Sequence, residues 1–440
     1  MITDKELDFV REALDMASRA GAQHARATLS LSEEDLVATL DGEVDRVTHC
    51  ADRSLSLALF VDGRFGSYST NKLDAASLEG FIARAVAATR MVAPDPLRVL
   101  PDPARCCHDA LTGNELGLVD PAREKVTPAD RQNIALKASA FGSDPRIISE
   151  EGEYSDSVYD TVVMDTNGVC CRHSETSFDY GVEITIESDG EKYSGYWWDA
   201  SSRLAELDAP ACGRQALARA VGQIGSGPAP SGRYTAVIDA EMASKVVSPI
   251  LRALSGYAIQ QNNSFLMDSL ERQVFPEGLN ILDVPRIPGQ TCSKYFDSEG
   301  VATVEAPIVE GGVVKQYFIN SYMAGKLRMA PTVEDATRPK VLPWPCAGLD
   351  RDAILRRCGS GILVTDFNGG NSNPVTGDFS YGIEGYWFED GRIVRPVSGM
   401  LMTGNFLTLW SRLLAAGDDA RPCQTKLIPT LAFAKVDFSG

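Results

Sequence analysis

The chain has 440 residues, 44% of them apolar and 23% charged, so it is long and apolar enough for several packed units, and wholesale disorder is excluded. Lysine and arginine number 42 against 60 aspartates and glutamates, a net charge of −18 that repels a phosphate backbone and argues against direct nucleic-acid binding. No run approaches the roughly 20 apolar residues that span a bilayer, and the first residues lack a basic stretch followed by an apolar one, so a cytoplasmic protein without membrane association is expected.

Leu7, Val10, Leu14 and Ala17 recur at helical spacing and predict a first helix over 5–20 with Asp4 as its N-cap. Alternating stretches at 25–31, 36–40 and 55–60 predict antiparallel strands, the last closing on an Asp62-Gly63 hairpin. Helical spacing returns over 78–91 before Pro94, Pro96, Pro101 and Pro103 forbid regular helix, placing a domain edge or linker near 92–115. A helix over 128–141 precedes strands at 158–164, 181–187 and 193–198, punctuated by Asn167-Gly168 and Asp189-Gly190, and a helix over 208–224 closes this meander. The Gly, Pro and Ser-rich stretch 225–232 is the clearest linker. Beyond it the pattern predicts a strand at 234–238, a helix over 240–254, reversals near 310–312, 368–371 and 389–392, a helix over 406–416 and a last strand over 427–436.

This order predicts an α+β fold. Residues 1–110 form an N-terminal α/β domain with an antiparallel sheet and helices, and 111–224 form a helix plus β-meander packed with it. Residues 233–440 form a β-rich domain with a curved, barrel-like sheet.

The chemistry is defined first by what is missing. The four histidines, His24, His49, His108 and His173, are too scattered to place two imidazoles one turn apart on a helix, and there is no Cys-x-x-Cys. The ten cysteines follow no disulfide framework, so reduced, packed thiols are expected. Walker-type and dinucleotide-binding glycine patterns are absent, and no Gly-x-Ser-x-Gly elbow stands out. His173 offers a general base or, more simply, a satisfied strand histidine. Two polar segments remain. In 366–382, Asn371, Asn373, Thr376, Gly377, Asp378 and Ser380 combine conformational freedom with short donors and acceptors, as a peptide-contact loop or as a self-bonded β connection requires. A second cluster, Phe296, Asp297 and Glu299, joins an aromatic ring to two acids beside a glycine turn.

Phe296 to Val301, Gly311-Gly312-Val313-Val314, the run from Gly370 to Gly382 and Gly404-Asn405-Phe406-Leu407 together resemble the TldD/PmbA proteins, metallopeptidase components historically described as modulators of DNA gyrase. Residues 61–71 resemble the glycine-containing hairpin of the same family. In the TldD branch a helix early in the C-terminal domain carries a His-Glu-x-x-x-His zinc motif. The corresponding helix here, within 239–256, has no histidine, and Ser264-Phe265-Leu266 resembles the TldE/PmbA branch.

The resemblance therefore implies no catalytic or metal residue in this chain, and zinc in a TldD-like partner subunit. The implied role is that of a non-catalytic wall in a heterodimeric peptidase acting on unfolded peptides, with homodimers when the partner is missing. Two alternatives stay open: a stand-alone hydrolase using groups such as Asp297, Glu299 or Cys292, and a non-enzymatic adaptor related to gyrase modulation.

Overall fold

A computed structural model describes residues 1–440. The N-terminal half comprises α1 (Asp4–Arg19), β1 (His24–Leu40), β2 (Glu43–Val61), β3 (Arg64–Thr70), α2 (Ala75–Thr89), α3 (Pro128–Ala138), β4 (Ile147–Asp165), β5 (Cys170–Ser188), β6 (Glu191–Ser201) and α4 (Ala209–Gly222). Its strands form one antiparallel half-barrel in the order β3-β2-β1-β4-β5-β6. Thr3, not Asp4, is the N-cap of α1, and its N–H donates to the Glu6 carboxylate at 2.8 Å. Asp62-Gly63 and Asp189-Gly190 turn their hairpins with both residues at positive φ, the backbone that two-residue loops between twisted strands demand.

Alternation assigns the two faces of this sheet. Ala27, Leu29, Leu57 and Val162 lie under Val10 and Leu14 of α1 and Leu78 and Ile82 of α2. Further along the same face, Tyr154, Tyr180, Val182 and Ile184 lie under α3 and α4. Between the two helix pairs, Arg131 grips Asp156 bidentately at 2.6 and 2.8 Å and reaches Asp35 at 2.8 Å, so the buried carboxylate is paired. Gly195 lets α4 approach β6, since a Cβ there would stand 2.3 Å from the Ala216 carbonyl oxygen. The opposite face, carrying Ser155, Ser157, Ser177 and Asp179, has no helix on it.

The C-terminal half runs β7 (Gly232–Ile238), α5 (Ala240–Ala253), α6 (Gly256–Gln260), β8 (Ile281–Asp283), β9 (Ala306–Glu310), β10 (Val313–Val314), α7 (Ser321–Leu327), β11 (Pro339–Val341), α8 (Arg351–Cys358), β12 (Gly361–Asp366), β13 (Gly370–Ser372), β14 (Asp378–Glu389), β15 (Arg392–Asn405), α9 (Phe406–Trp410), β16 (Leu413–Ala416) and β17 (Leu431–Ser439). Strands β12, β7, β17, β15 and β14 pair in that order and β14 returns to β12, closing a five-stranded barrel in which only β12 and β7 run parallel. A small sheet β10-β9-β8-β11 flanks it. The core of this half gathers Ile238, Val246, Ile250, Ile362, Phe406 and Trp410.

The predicted helix over 406–416 stops at Trp410, because Leu413–Ala416 pairs with β17 and bridges Trp344. The glycine-rich stretch 225–232 is tied along β15, where Arg395 donates to the Gly227 and Pro228 carbonyls at 3.4 Å. No helix is long and apolar enough to cross a membrane, and all ten cysteines are free.

Candidate functional site

The helix-free face of the N-terminal sheet meets the first turn of α5 across a cleft. A cavity of about 710 Å³ lies over the sheet, with Arg46, Glu151, Glu153, Asp179, Tyr196 and Trp198 among its walls. It shares Asp179 and Trp198 with a second cavity of about 390 Å³, which is bounded by Glu241 and Ser244 of α5 and by Cys292, Cys423 and Lys426. Strand pairing places these groups together: Ser155 faces Asp179 across β4 and β5, and Gly181 faces Trp198 across β5 and β6.

The cavity is acidic. Asp45, Glu151, Glu153, Asp179, Glu183 and Asp199 line the larger part against Arg46, whose guanidinium sits 3.4 Å from Glu153. Burial raises the Asp179 carboxyl and nearby Glu34, Asp199 and Glu175 push in the same direction, while Ser177 Oγ, donating at 2.6 Å, opposes them. Hydroxyls, carboxylates and the Tyr196 and Trp198 rings suit an extended chain bearing N–H donors and cationic side chains.

Two arginines hold this cleft in shape. Arg421 pairs with Glu241 of α5 and donates to the Trp198 carbonyl at 2.7 Å, with its guanidinium 4.5 Å from the Trp197 ring centre and 5.2 Å from that of Trp198. One side chain thus ties the barrel helix to the edge of the N-terminal sheet. Arg338, fully buried, donates to the Thr291 and Pro422 carbonyls, the latter at 2.7 Å, and fixes the two segments that carry Cys292 and Cys423. Sequence reasoning missed both, as well as Tyr196 and Trp198. The adjacent tryptophans Trp197-Trp198 were the available signal, because large aromatics at the end of a polar strand rarely lack a packing partner.

The two segments singled out from sequence lie away from this cleft. Asn371 and Ser380 pair across β13 and β14. Asn373 Oδ1 accepts from Val375 N at 2.9 Å, Thr376 Oγ1 donates to Asp378 at 2.7 Å, and Asn405 Nδ2 donates to the Thr376 carbonyl and to Asp378 at 2.7 and 2.9 Å. Gly377 is buried against Phe265. The polar groups of this loop largely satisfy one another, and Ser372, Asn373 and Pro374 border a separate cavity of about 320 Å³ at the C-terminal end of α5.

Phe296, Asp297 and Glu299 form a plug between the halves of the molecule. Phe296 packs with Cys106, Val163 and Cys171, and Cys107 N donates to the Gly300 carbonyl at 2.9 Å. Asp297 accepts from the backbone N–H groups of Glu299, Val301 and Glu334, and burial nonetheless raises its carboxyl to about 6. Glu299 accepts from Ser321 N and Oγ at 2.9 and 2.8 Å. His173 is buried on β5 with Nε2 3.4 Å from a Glu175 carboxylate oxygen.

Zinc does not fit the donors around α5. Glu241 is neutralised by Arg421, no imidazole is present, and burial pushes the Cys423 thiol up to about 11 and the Cys292 thiol upward as well. The trio with metal-ligand spacing, Glu33, Asp35 and His49, lies on β1 and β2. Its carboxylates already meet Arg123 at 3.4 and 3.3 Å, and Arg131 also holds Asp35.

Three families describe successive parts of the chain: PmbA/TldA metallopeptidase domain 1 over residues 29–89, the central domain over 122–224 and the C-terminal domain over 231–440. A crystal structure from Bacteroides thetaiotaomicron described as a modulator of DNA gyrase superposes with a TM-score of 0.95 at 37% identity, covering 100% of both chains. The chain belongs to the PmbA/TldD family. The metalloprotease PmbA of Escherichia coli O157:H7 is 27% identical over 438 residues, 97% of this chain and 95% of that protein. TldE from Thermococcus kodakarensis shares the family fold, with a TM-score of 0.84 at 17% identity over 98% of this chain and 100% of that one.

Proposed function

We propose that this PmbA/TldD-family chain is a TldE-type, non-catalytic subunit acting in the cytoplasm. It walls a peptide-accepting chamber, while a TldD-like partner supplies the zinc and the hydrolytic groups. The observation that carries this reading is the first turn of α5, which presents Glu241 and Ser244 to the acidic cleft, with Glu241 held by Arg421 and no imidazole on the helix. A zinc peptidase needs an open metal position and a carboxylate free to activate water. An arginine-bound carboxylate does neither.

The acidic wall and Trp198 are the surfaces offered to unfolded peptide. The test is co-expression with a TldD-like protein from the same organism. A stable complex whose cleavage of unfolded peptides exceeds that of the partner alone is expected. A partner equally active without this chain, and no complex between the two, would defeat the proposal.

A further inference from the structure

A further cavity lies on the α4 side of β6, where that helix meets the barrel. Its volume of about 240 Å³ is below the roughly 300–1,000 Å³ of pockets for drug-sized ligands, and only Tyr196 lines both it and the acidic cleft. Helix α4 contributes Arg219 and Gln223, the start of α8 contributes Arg351, and strands β12 and β14 contribute Asp366, Glu384 and Tyr386.

Charges of both signs face this cavity without pairing to each other. Asp366 and Glu384 stand directly opposite across β12 and β14, an arrangement of like charges that destabilises a strand pair, and neither forms an ion pair. Their hydrogen-bond donors are neutral: Phe367 N donates to Asp366 at 2.7 Å and Asn368 Nδ2 donates to Glu384 at 3.0 Å. Arg219 likewise forms no ion pair, in a chain of net charge −18, and its guanidinium lies 4.4 Å from the Trp197 ring centre. Arg351, 3.2 Å from Asp239, is the second cation. Burial raises the Tyr386 hydroxyl, while the Gln223 amide and the guanidinium groups of Arg219 and Arg351 act in the opposite direction.

The cavity also holds an orphaned acceptor. Gln223 is only 8% exposed; its Nε2 donates to the Gly385 carbonyl at 3.5 Å, and its buried Oε1 has no donor. A buried acceptor left unbonded is costly, and a ligand N–H removes that cost.

Glu384 and Tyr386 are two residues apart on one face of β14, so the anionic and cationic ends are separated by about 6–7 Å along the strand. A single amino acid, with ammonium and carboxylate on one carbon, is too short to span them. Two residues of extended chain reach about 7 Å. We infer that this cavity binds a free dipeptide: its ammonium lies between Asp366 and Glu384, its carboxylate meets Arg219, Arg351 and the Tyr386 hydroxyl, and its amide N–H donates to Gln223 Oε1. The inference is independent of the peptidase reading, because it uses neither the acidic cleft nor Glu241.

Calorimetric titration of the full chain with alanyl-alanine tests it, with thermal melts as a check on folding. Alanyl-alanine binds at a single site and raises the melting temperature. Alanine loses the span, and the N-acetylated and C-amidated dipeptides each lose one charge, so all three bind at least about tenfold more weakly. The ω-amino acid ε-aminocaproate keeps both charges apart but has no amide N–H, and it also binds about tenfold more weakly. Glu384→Gln and Arg219→Gln, which fold as the wild type does, each weaken alanyl-alanine by about tenfold or more. An absence of saturable binding at millimolar concentrations, or equal binding of the blocked dipeptides, would overturn the inference. Undiminished binding in both variants would place the dipeptide elsewhere on the chain and equally refute it. An ε-aminocaproate affinity matching that of alanyl-alanine would refute the dipeptide assignment.

Discussion

Replacing Arg421 by methionine keeps an unbranched, flexible stem and removes the charge that binds α5 to the N-terminal sheet. The Glu241 side chain is only 3% exposed, so the substitution strands a carboxylate with no counter-charge, whereas Arg421 itself, at 20%, keeps some contact with water. Removing one partner of a buried pair costs about 3–5 kcal/mol, and the partial exposure of the arginine argues for the lower end, about 3 kcal/mol. For a unit the size of the C-terminal half, each kcal/mol lowers the melting temperature by about 2–4 °C, so Arg421→Met should lower it by about 6–12 °C. Calorimetry would register the shift, and tryptophan emission would register the loss of the guanidinium beside Trp197 and Trp198. The double variant Glu241→Gln/Arg421→Met removes the stranded charge and should recover at least half of the loss. A shift below about 2 °C for Arg421→Met, or a double variant no better than the single one, would refute the view that this pair holds the cleft together.

Two further outcomes follow from the packing. Gly195→Ala forces α4 away from β6, because the added carbon meets the Ala216 carbonyl oxygen at 2.3 Å and Ala220 N at 2.4 Å, and it should cost about 1–3 kcal/mol in a chemical denaturation curve; an unchanged midpoint would show that the helix seats differently. Asp297, raised by burial from its ordinary 3.8 to about 6, holds its proton in the folded state at pH values where the unfolded chain releases it. Its contribution therefore makes stability fall as pH rises from about 4 to about 6 and level off above, and carbon-13 NMR of the carboxyl should titrate near the upper value rather than near 4.

Much of the architecture was legible because local physics and tertiary packing agree. Helix α5 follows the 3.6-residue spacing of Ala243, Val246, Val247 and Ile250, all buried, and the Asp-Gly hairpins announce the positive φ they adopt. The full lengths of β1 and β4 were not legible, since Glu33, Asp35, Asp156 and Asp160 interrupt the apolar alternation of their helix-covered faces, and the pairing of the first three rests on Arg123 and Arg131, remote in sequence. Leu413–Ala416 looked helical because four small apolar residues fit either period, and strand pairing to β17 decided the matter.

The cleft was the least legible feature. Its walls alternate out of five strands, and its fastening pair, Glu241 and Arg421, lies 180 residues apart. The polar loop from Asn371 to Ser380 attracted attention for a composition that it largely uses to bond itself.

Metal content and peptide turnover of the purified chain, measured alone and after assembly with a TldD-like partner, test the central claim most directly. The account predicts neither stoichiometric zinc nor cleavage from this chain alone, and chelator-sensitive cleavage once the partner is present. Stoichiometric zinc together with chelator-sensitive peptide cleavage by this chain by itself would contradict it.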